Sequence, residues 1–261
     1  MPILGNILRV IAIANSVGLS RLIPEVVKGI EFPFQLSPFD ISPRFPIVPD
    51  IPGISSMVQT PVKKLSFEEF LEQYPDGGIY ELINGEIIAV EPTRAHKNVA
   101  RFLMLAFNDE IRRLGLDYIA DKDVIIRTFT DTGQEQGRKP DVSVVSGSQW
   151  NSNVLAYGAL IEPIQLAVEV TSTNWDDDYV DKLDEYHRLG IPEYWIVDYL
   201  AIASRADLGN PKLPTVFVYQ LLDGQYQVQK FTGNDRILST TFPELALTVK
   251  EVVAASQIQK L

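Results

Sequence analysis

The sequence predicts an α/β fold in which a mixed central sheet carries helices on its faces. Residues 165–198 give the first indication, because an alternating apolar run, a helical repeat and a second apolar run follow one another. The second indication is Asn84-Gly85, which joins two apolar runs and is a strong hairpin signal. The third is a helical apolar stripe over 93–114 that ends at Gly115, a residue suited to the left-handed position after a helix.

The composition is that of an ordinary globular protein, and it limits the kinds of metal site. The 261 residues are enough for one large or two small domains, with 46% hydrophobic and 22% charged residues. The chain has no cysteine, which excludes a disulfide framework and a thiolate zinc site. Its two histidines, His96 and His187, nearly exclude a multi-histidine site. Oxygen ligands remain, and they favour magnesium, manganese or calcium.

The net charge of −11 argues against a protein that grips many phosphates, because such proteins are usually basic. A bound metal ion or a local basic patch can act against the global sign. The residues that could supply such a patch are Arg112, Arg113, Lys122, Arg127, Arg138 and Lys139. The alternative for most of them is an ordinary solvated surface of mixed charge.

Residues 1–56 differ from the rest, and we expect an irregular arm followed by one domain over 57–261. Prolines recur from 33 to 61, and each removes an amide donor and fixes φ. The apolar run 7–14 is too short to span a bilayer and is a poor signal peptide, so we expect a cytoplasmic protein without a membrane segment. A further hypothesis is that Met57 is the native start, which N-terminal sequencing of the native protein would decide.

The first elements of the domain are a short helix and a hairpin. Ser66 and Glu69 have the spacing of a capping box, which predicts a helix to about residue 74. A two-residue turn at Asn84-Gly85 places Glu81 on one face of the hairpin 79–90. That face also carries Ile79, Ile83, Ile88 and Val90, whereas the other carries Tyr80, Leu82, Ile87 and Ala89. Periodicity alone leaves open which face is buried.

The later elements follow from apolar runs and turn residues. We expect one or two strands over 118–129, a polar loop over 130–139, a strand over 141–145 and an irregular segment with one short helical piece over 146–163. A second hairpin over 215–231 turns at Asp223-Gly224, and a terminal helix lies near 250–256. Trp195 and Tyr194 lie in an apolar strand and are predicted to be core residues.

Two carboxylates occupy unusual positions and suggest a metal site. Glu169 lies in the middle of an apolar strand, where a carboxylate must be paired, protonated or bound to a cation. Asp141 opens another strand directly after Pro140, although capping that strand is its plainer role. Side by side, the two acids would repel, and a divalent cation would remove that cost. The backbone carbonyl of Val170 is a natural third ligand, and Glu81 is a candidate third acid.

These residues, in this order and spacing, resemble the Uma-type restriction endonuclease domain family, within the PD-(D/E)XK nuclease superfamily. The resemblance covers roughly residue 58 to the end of the chain. The residues that carry it are Tyr80-Glu81-Leu82-Ile83-Asn84-Gly85-Glu86, His96, Pro140-Asp141, Val168-Glu169-Val170, Asp178, Lys182, Tyr186 and 190–198. The usual signature has a lysine two residues after the acid, but Thr171 stands there in this chain. The resemblance implies that Lys182 takes its place, with Tyr186 one helical turn further on the same face.

The resemblance implies a restriction-endonuclease-like fold and a Mg²⁺- or Mn²⁺-dependent endonuclease that hydrolyses DNA. It also implies a homodimer, and a supporting role for His96 near the metal; the plainer role of His96 is a capping or core histidine. The alternative for Lys182 is a solvated pair with Asp178, four residues earlier, which would contribute little. The alternative function is a catalytically inactive interaction or scaffold protein on the same fold.

Overall fold

The computed structural model describes residues 63–257. The predicted arm over 1–56 and the predicted start at Met57 therefore lie outside the described residues, and the domain boundary stays a prediction. In the described part of the chain, no helix is long and apolar enough to cross a membrane.

The predicted helices form close to their expected ends, because their caps are local. Ser66 and Glu69 complete a capping box, Thr93 caps the long helix, and Gly115 ends it with φ of 65°. The α-helices of the described part are α1 (Phe67–Glu72), α2 (Arg94–Leu114), α3 (Gly147–Asn151), α4 (Lys182–Leu189), α5 (Arg205–Leu208) and α6 (Val249–Ala254).

A six-stranded mixed sheet forms the centre of the domain and confirms the predicted α/β class. Its strands are β3 (Tyr118–Asp121), β6 (Val142–Ser146), β8 (Leu166–Val170), β9 (Glu193–Asp198), β10 (Thr215–Leu222) and β11 (Gln225–Thr232). Their spatial order is β11-β10-β9-β8-β6-β3. The β8–β9 pair is parallel and the other pairs are antiparallel, so the sheet is mixed as expected.

Helices cover both faces of this sheet. The apolar stripe of α2, which includes Val99, Leu103 and Phe107, packs on one face with Val168 and Trp195. The other face, which carries Ala167, Tyr194 and Ile196, packs against Tyr186 of α4. Trp195 and Tyr194 are fully buried, which confirms their predicted place in the core. Because odd residues of β8 face α4, the alternation directs Glu169 to that side.

The structure contains a second, five-stranded mixed sheet that was not predicted from the sequence. Its strands are β1 (Tyr80–Ile83), β2 (Glu86–Ala89), β4 (Ile125–Phe129), β5 (Glu135–Arg138) and β7 (Ala159–Leu160), in the order β2-β1-β5-β4-β7. The prediction of a loop over 130–139 was wrong for its second half, which is β5. This strand has no apolar alternation, because the polar side chains of Gln136 and Arg138 are buried with polar partners.

The β1–β2 hairpin has the predicted register, with Glu81 opposite Ile88 and Ile83 opposite Glu86. The structure also decides which face is buried. Leu82 is fully buried in a small core with Phe67 and Phe70, so the face that carries Glu81 looks away from that core.

A short π-helical segment, Asp177–Asp181, precedes α4 where one continuous α-helix was expected. A π-turn holds more residues than an α-turn, so it shifts which side chains of the following helix face inward. Lys182, Glu185 and Tyr186 are buried, whereas the apolar side chain of Leu183 is only half-buried.

Candidate functional site

The predicted site residues converge on one cleft of about 500 Å³ between the hairpin, the start of α2 and the ends of β6 and β8. Six of the seven predicted residues line it, namely Glu81, His96, Asp141, Glu169, Val170 and Lys182. The seventh, Tyr186, is fully buried behind Glu169.

Glu169 is buried and held by two donors. The Tyr186 hydroxyl donates a hydrogen bond of 2.7 Å to Glu169 Oε1, and the Lys182 ammonium lies 3.0 Å from Oε2. The β6–β8 register pairs Val142 with Val168, and one step further it brings Asp141 opposite Glu169. The two acids therefore lie side by side at the end of the sheet.

Asp141 is fixed by groups on two other elements. Its Oδ2 accepts a hydrogen bond of 2.8 Å from the Val170 amide, and its Oδ1 lies 2.6 Å from His96 Nε2. His96 is buried in the first turn of α2, and its Nδ1 has no hydrogen-bond partner in the described part of the chain. His96 thus contacts a candidate metal ligand and is more than a capping or core histidine.

Lys182 lies among three carboxylates and does not face solvent. Its ammonium is 3.0 Å from Glu169, 3.2 Å from Asp178 and 3.8 Å from Glu81, and the residue is only 7% exposed. The alternative of a solvated pair with Asp178 is therefore wrong: the pair exists, but it is buried and shared with Glu169. Asp178 itself was missed as a site residue, although its position four residues before Lys182 was a usable signal.

Arg138 links the cleft to the second sheet and is not part of a surface basic patch. It is 1% exposed and makes two parallel hydrogen bonds of 2.8 and 2.7 Å to Glu185 of α4. Its Nη1 lies 3.4 Å from both Glu81 and Asp177. The prediction that Arg138 contributes to a phosphate-binding patch was wrong, because three acids surround it. No sequence pattern indicated Glu185 as its partner, since 47 residues separate them.

The other members of the predicted basic patch do not form one patch. Each of four is paired with acids: Arg112 with Asp109, Arg113 with Glu110 and Glu244, Arg127 with Glu68 and Glu135, and Lys139 with Asp123. Lys122 and Lys139 line the cleft, together with Lys97. Of these three cleft lysines, Lys139 is already paired with Asp123, which leaves Lys97 and Lys122 to contact a ligand.

The crowding of acids changes the proton affinities of the site. Burial raises the pKa of Glu169 well above its usual range, and Asp178, Asp141 and Glu81 raise it further. Burial also raises the pKa of Asp178 to about 6. Burial alone would lower the pKa of Lys182, but Glu169, Glu81 and Asp178 raise it well above its usual value. Burial and the neighbouring acids thus make Glu169 and Asp178 harder to ionise, while the same acids keep Lys182 charged.

This donor set fits a hard divalent cation in its chemistry. Carboxylate and carbonyl oxygens are the ligands that magnesium prefers, and such an ion would offset the burial and the mutual repulsion that raise the pKa values of Glu169 and Asp178. Within residues 63–257, no three His, Cys, Asp or Glu side chains are already grouped so as to hold an ion. Glu169, Asp178 and Glu81 are instead arranged around the Lys182 ammonium.

The raised pKa of Asp178 predicts how the stability of the metal-free protein depends on pH. The folded state binds this proton with a pKa of about 6, against the ordinary value of 3.8. Asp178 does not affect stability below pH 3.8, where the folded and the unfolded state are both protonated at this group. The free energy of unfolding falls as pH rises above that value, and the loss is complete once pH has passed about 6. Relative to Asp178→Asn, the wild type should lose roughly 3 kcal/mol of unfolding free energy across this window. Urea unfolding in EDTA from pH 4 to 7 measures this loss. Parallel pH profiles of the wild type and Asp178→Asn would contradict the raised pKa of Asp178.

Comparison with known proteins agrees with the class of fold. The fold matches the crystal structure of a protein from Anabaena variabilis described as "a putative nuclease belonging to DUF820", with a TM-score of 0.56 and 20% sequence identity. The match covers 73% of this chain and 98% of that chain. At this identity it shows a shared fold.

Residues 67–250 match the family Uma2, described as "Putative restriction endonuclease", and the chain belongs to that family. No curated protein matches the chain. The resemblance deduced from the sequence is thus confirmed, and restriction-endonuclease-like families generally use divalent metals.

Proposed function

We propose that this protein is a divalent-metal-dependent endonuclease that hydrolyses phosphodiester bonds of DNA. The observation that carries the proposal is the position of Lys182. The usual signature lysine is replaced by Thr171, yet the Lys182 ammonium lies 3.0 Å from Glu169. An acid, a second acid and a cation are therefore together at one end of the sheet, although the linear spacing is not the usual one.

The residues divide into metal ligands and groups that act on the substrate. Asp141, Glu169 and the Val170 carbonyl would hold Mg²⁺ or Mn²⁺. The bound ion supplies a polarised phosphate and a water of lowered pKa. Lys182 would stabilise the negative charge that develops on the phosphate, or orient the attacking water.

Three further residues support this arrangement. Tyr186 donates its hydroxyl hydrogen bond to Glu169 and so fixes one carboxylate oxygen. His96 contacts Asp141 and orients the second acid. Glu81 accepts a hydrogen bond from the Lys139 amide, and this places a third carboxylate beside Lys182.

Metal binding separates this proposal from the catalytically inactive scaffold. The net charge of −11 and Thr171 at the usual lysine position favour the scaffold. An intact metal site should raise the melting temperature with Mg²⁺ or Mn²⁺. A hundredfold excess over Kd contributes about 2.7 kcal/mol, or roughly 5–10 °C for a domain of this size.

The control is Asp141→Ala, which should melt at the same temperature with and without the ion. Equal shifts in wild type and Asp141→Ala would instead mean that the ion binds elsewhere, and no shift in the wild type would favour the scaffold. The homodimer and the cytoplasmic location remain predictions, and light scattering of the purified chain tests the first of them.

A further inference from the structure

One face of the β1–β2 hairpin is apolar but is not used by the protein's own core. Ile79, Ile83, Ile88 and Val90, which we call the hairpin face, line the cleft together with Glu81. Ile88 and Val90 are 39% and 37% exposed. The opposite side of the hairpin already supplies Leu82 to the core, so folding does not account for the aliphatic side chains on this face.

A second apolar surface comes from the other sheet. Leu200 and Ile202, in the loop after β9, also line the cleft, and Leu200 is 56% exposed. The lysines Lys97, Lys122 and Lys139 lie along the same cleft. The cleft thus combines the acids Asp141 and Glu169 at its floor, lysines that can contact phosphates, and two patches of exposed aliphatic side chains.

We propose that the cleft takes an unpaired DNA strand, with base faces against the hairpin face. This inference rests on the proposed nuclease function and names its substrate class. In a duplex the faces of the bases are stacked on one another, and the grooves expose only base edges and phosphates. Aliphatic side chains therefore gain contact with a base face only when that base is unstacked.

The depth of the site supports the same inference. Glu169 and Lys182 are buried at the floor, so the scissile phosphate must enter the cleft to reach them. A space of about 500 Å³ is of small-molecule size, so the floor of the cleft suits a nucleotide that is unpaired there.

The test compares the binding of a labelled single strand with that of the duplex of the same sequence, by fluorescence anisotropy in EDTA, where cleavage does not interfere. The wild type should bind the single strand roughly tenfold more tightly. Ile88→Ser and Val90→Ser should each weaken single-strand binding several-fold without changing the melting temperature. The matched control is Val228→Ser, because Val228 is 46% exposed on β11 and does not line the cleft.

The outcomes distinguish this inference from the proposed function. Equal affinity for the two DNAs, or equal losses in the control and the hairpin variants, would overturn the inference. If the wild type still nicks duplex plasmid with Mn²⁺ in that case, the proposed nuclease function stands and only the unpaired-strand substrate is overturned. A wild type that neither binds nor cleaves any DNA would overturn both. Loss of single-strand binding confined to the hairpin variants supports the unpaired-strand substrate.

Discussion

Replacing Arg138 by methionine should lower the free energy of unfolding by about 3–5 kcal/mol, the usual cost of removing one partner from a buried ion pair. Arg138 is almost fully buried and contacts Glu185, Glu81 and Asp177. Methionine fills much of the space, but it leaves three carboxylates without their shared cation. Burial alone would lower the pKa of Arg138. The neighbouring acids, above all Glu185, outweigh burial and raise this pKa well above its usual value, so the guanidinium stays charged.

Urea unfolding of Arg138→Met at pH 7 measures this loss. The matched control is Arg112→Met, because Arg112 is exposed on α2 and lies 3.8 Å from the exposed Asp109. A surface pair of this kind contributes about 0–1 kcal/mol. Equal effects of the two substitutions would show that Arg138 does not hold the hairpin, the π-helical segment and α4 together.

Replacing Lys182 by methionine should reduce DNA cleavage by roughly 10²–10³-fold, the usual effect of removing one group that stabilises transition-state charge. The ammonium lies within 3.0 Å of Glu169 and 3.2 Å of Asp178, at the floor of the cleft. No other lysine or arginine of the described residues forms an ion pair with Glu169 within 4 Å. Methionine keeps the length of the side chain and removes the charge.

Initial rates of plasmid nicking, at a fixed Mn²⁺ concentration, measure the effect. Lys230→Met serves as control, because Lys230 lies on β11, donates a hydrogen bond to the Asp207 carbonyl of α5 and does not line the cleft. If Lys182→Met is folded and cleaves as fast as wild type, then Lys182 only balances the buried acids.

The sequence was sufficient where local signals determine the structure. The capping box at Ser66, the Asn84-Gly85 turn and Gly115 set the ends of their elements within a few residues. Glu169 was recognisable because a carboxylate in the middle of an apolar strand has a cost that some partner must offset.

The features that escaped prediction depend on residues far apart in the chain. Strand β5 looks like a polar loop, because Arg138 and Gln136 are satisfied by Glu185 and Asn84, 47 and 52 residues away. The second such feature is the π-helical segment before α4, whose wider turn shifts the phase of the helix. Neither the pairing nor the phase shift leaves a periodic pattern in the sequence.

The central claim is that Glu169 belongs to a metal-dependent nuclease site, and nicking of supercoiled plasmid with Mn²⁺ tests it most directly. Wild type should be compared with Glu169→Ala and with Glu86→Ala, in which an exposed glutamate of β2 is removed. We predict that wild type and Glu86→Ala nick the plasmid, and that Glu169→Ala and the wild type in EDTA do not. Equal background nicking by all of them would contradict the nuclease assignment and favour an interaction protein on this fold.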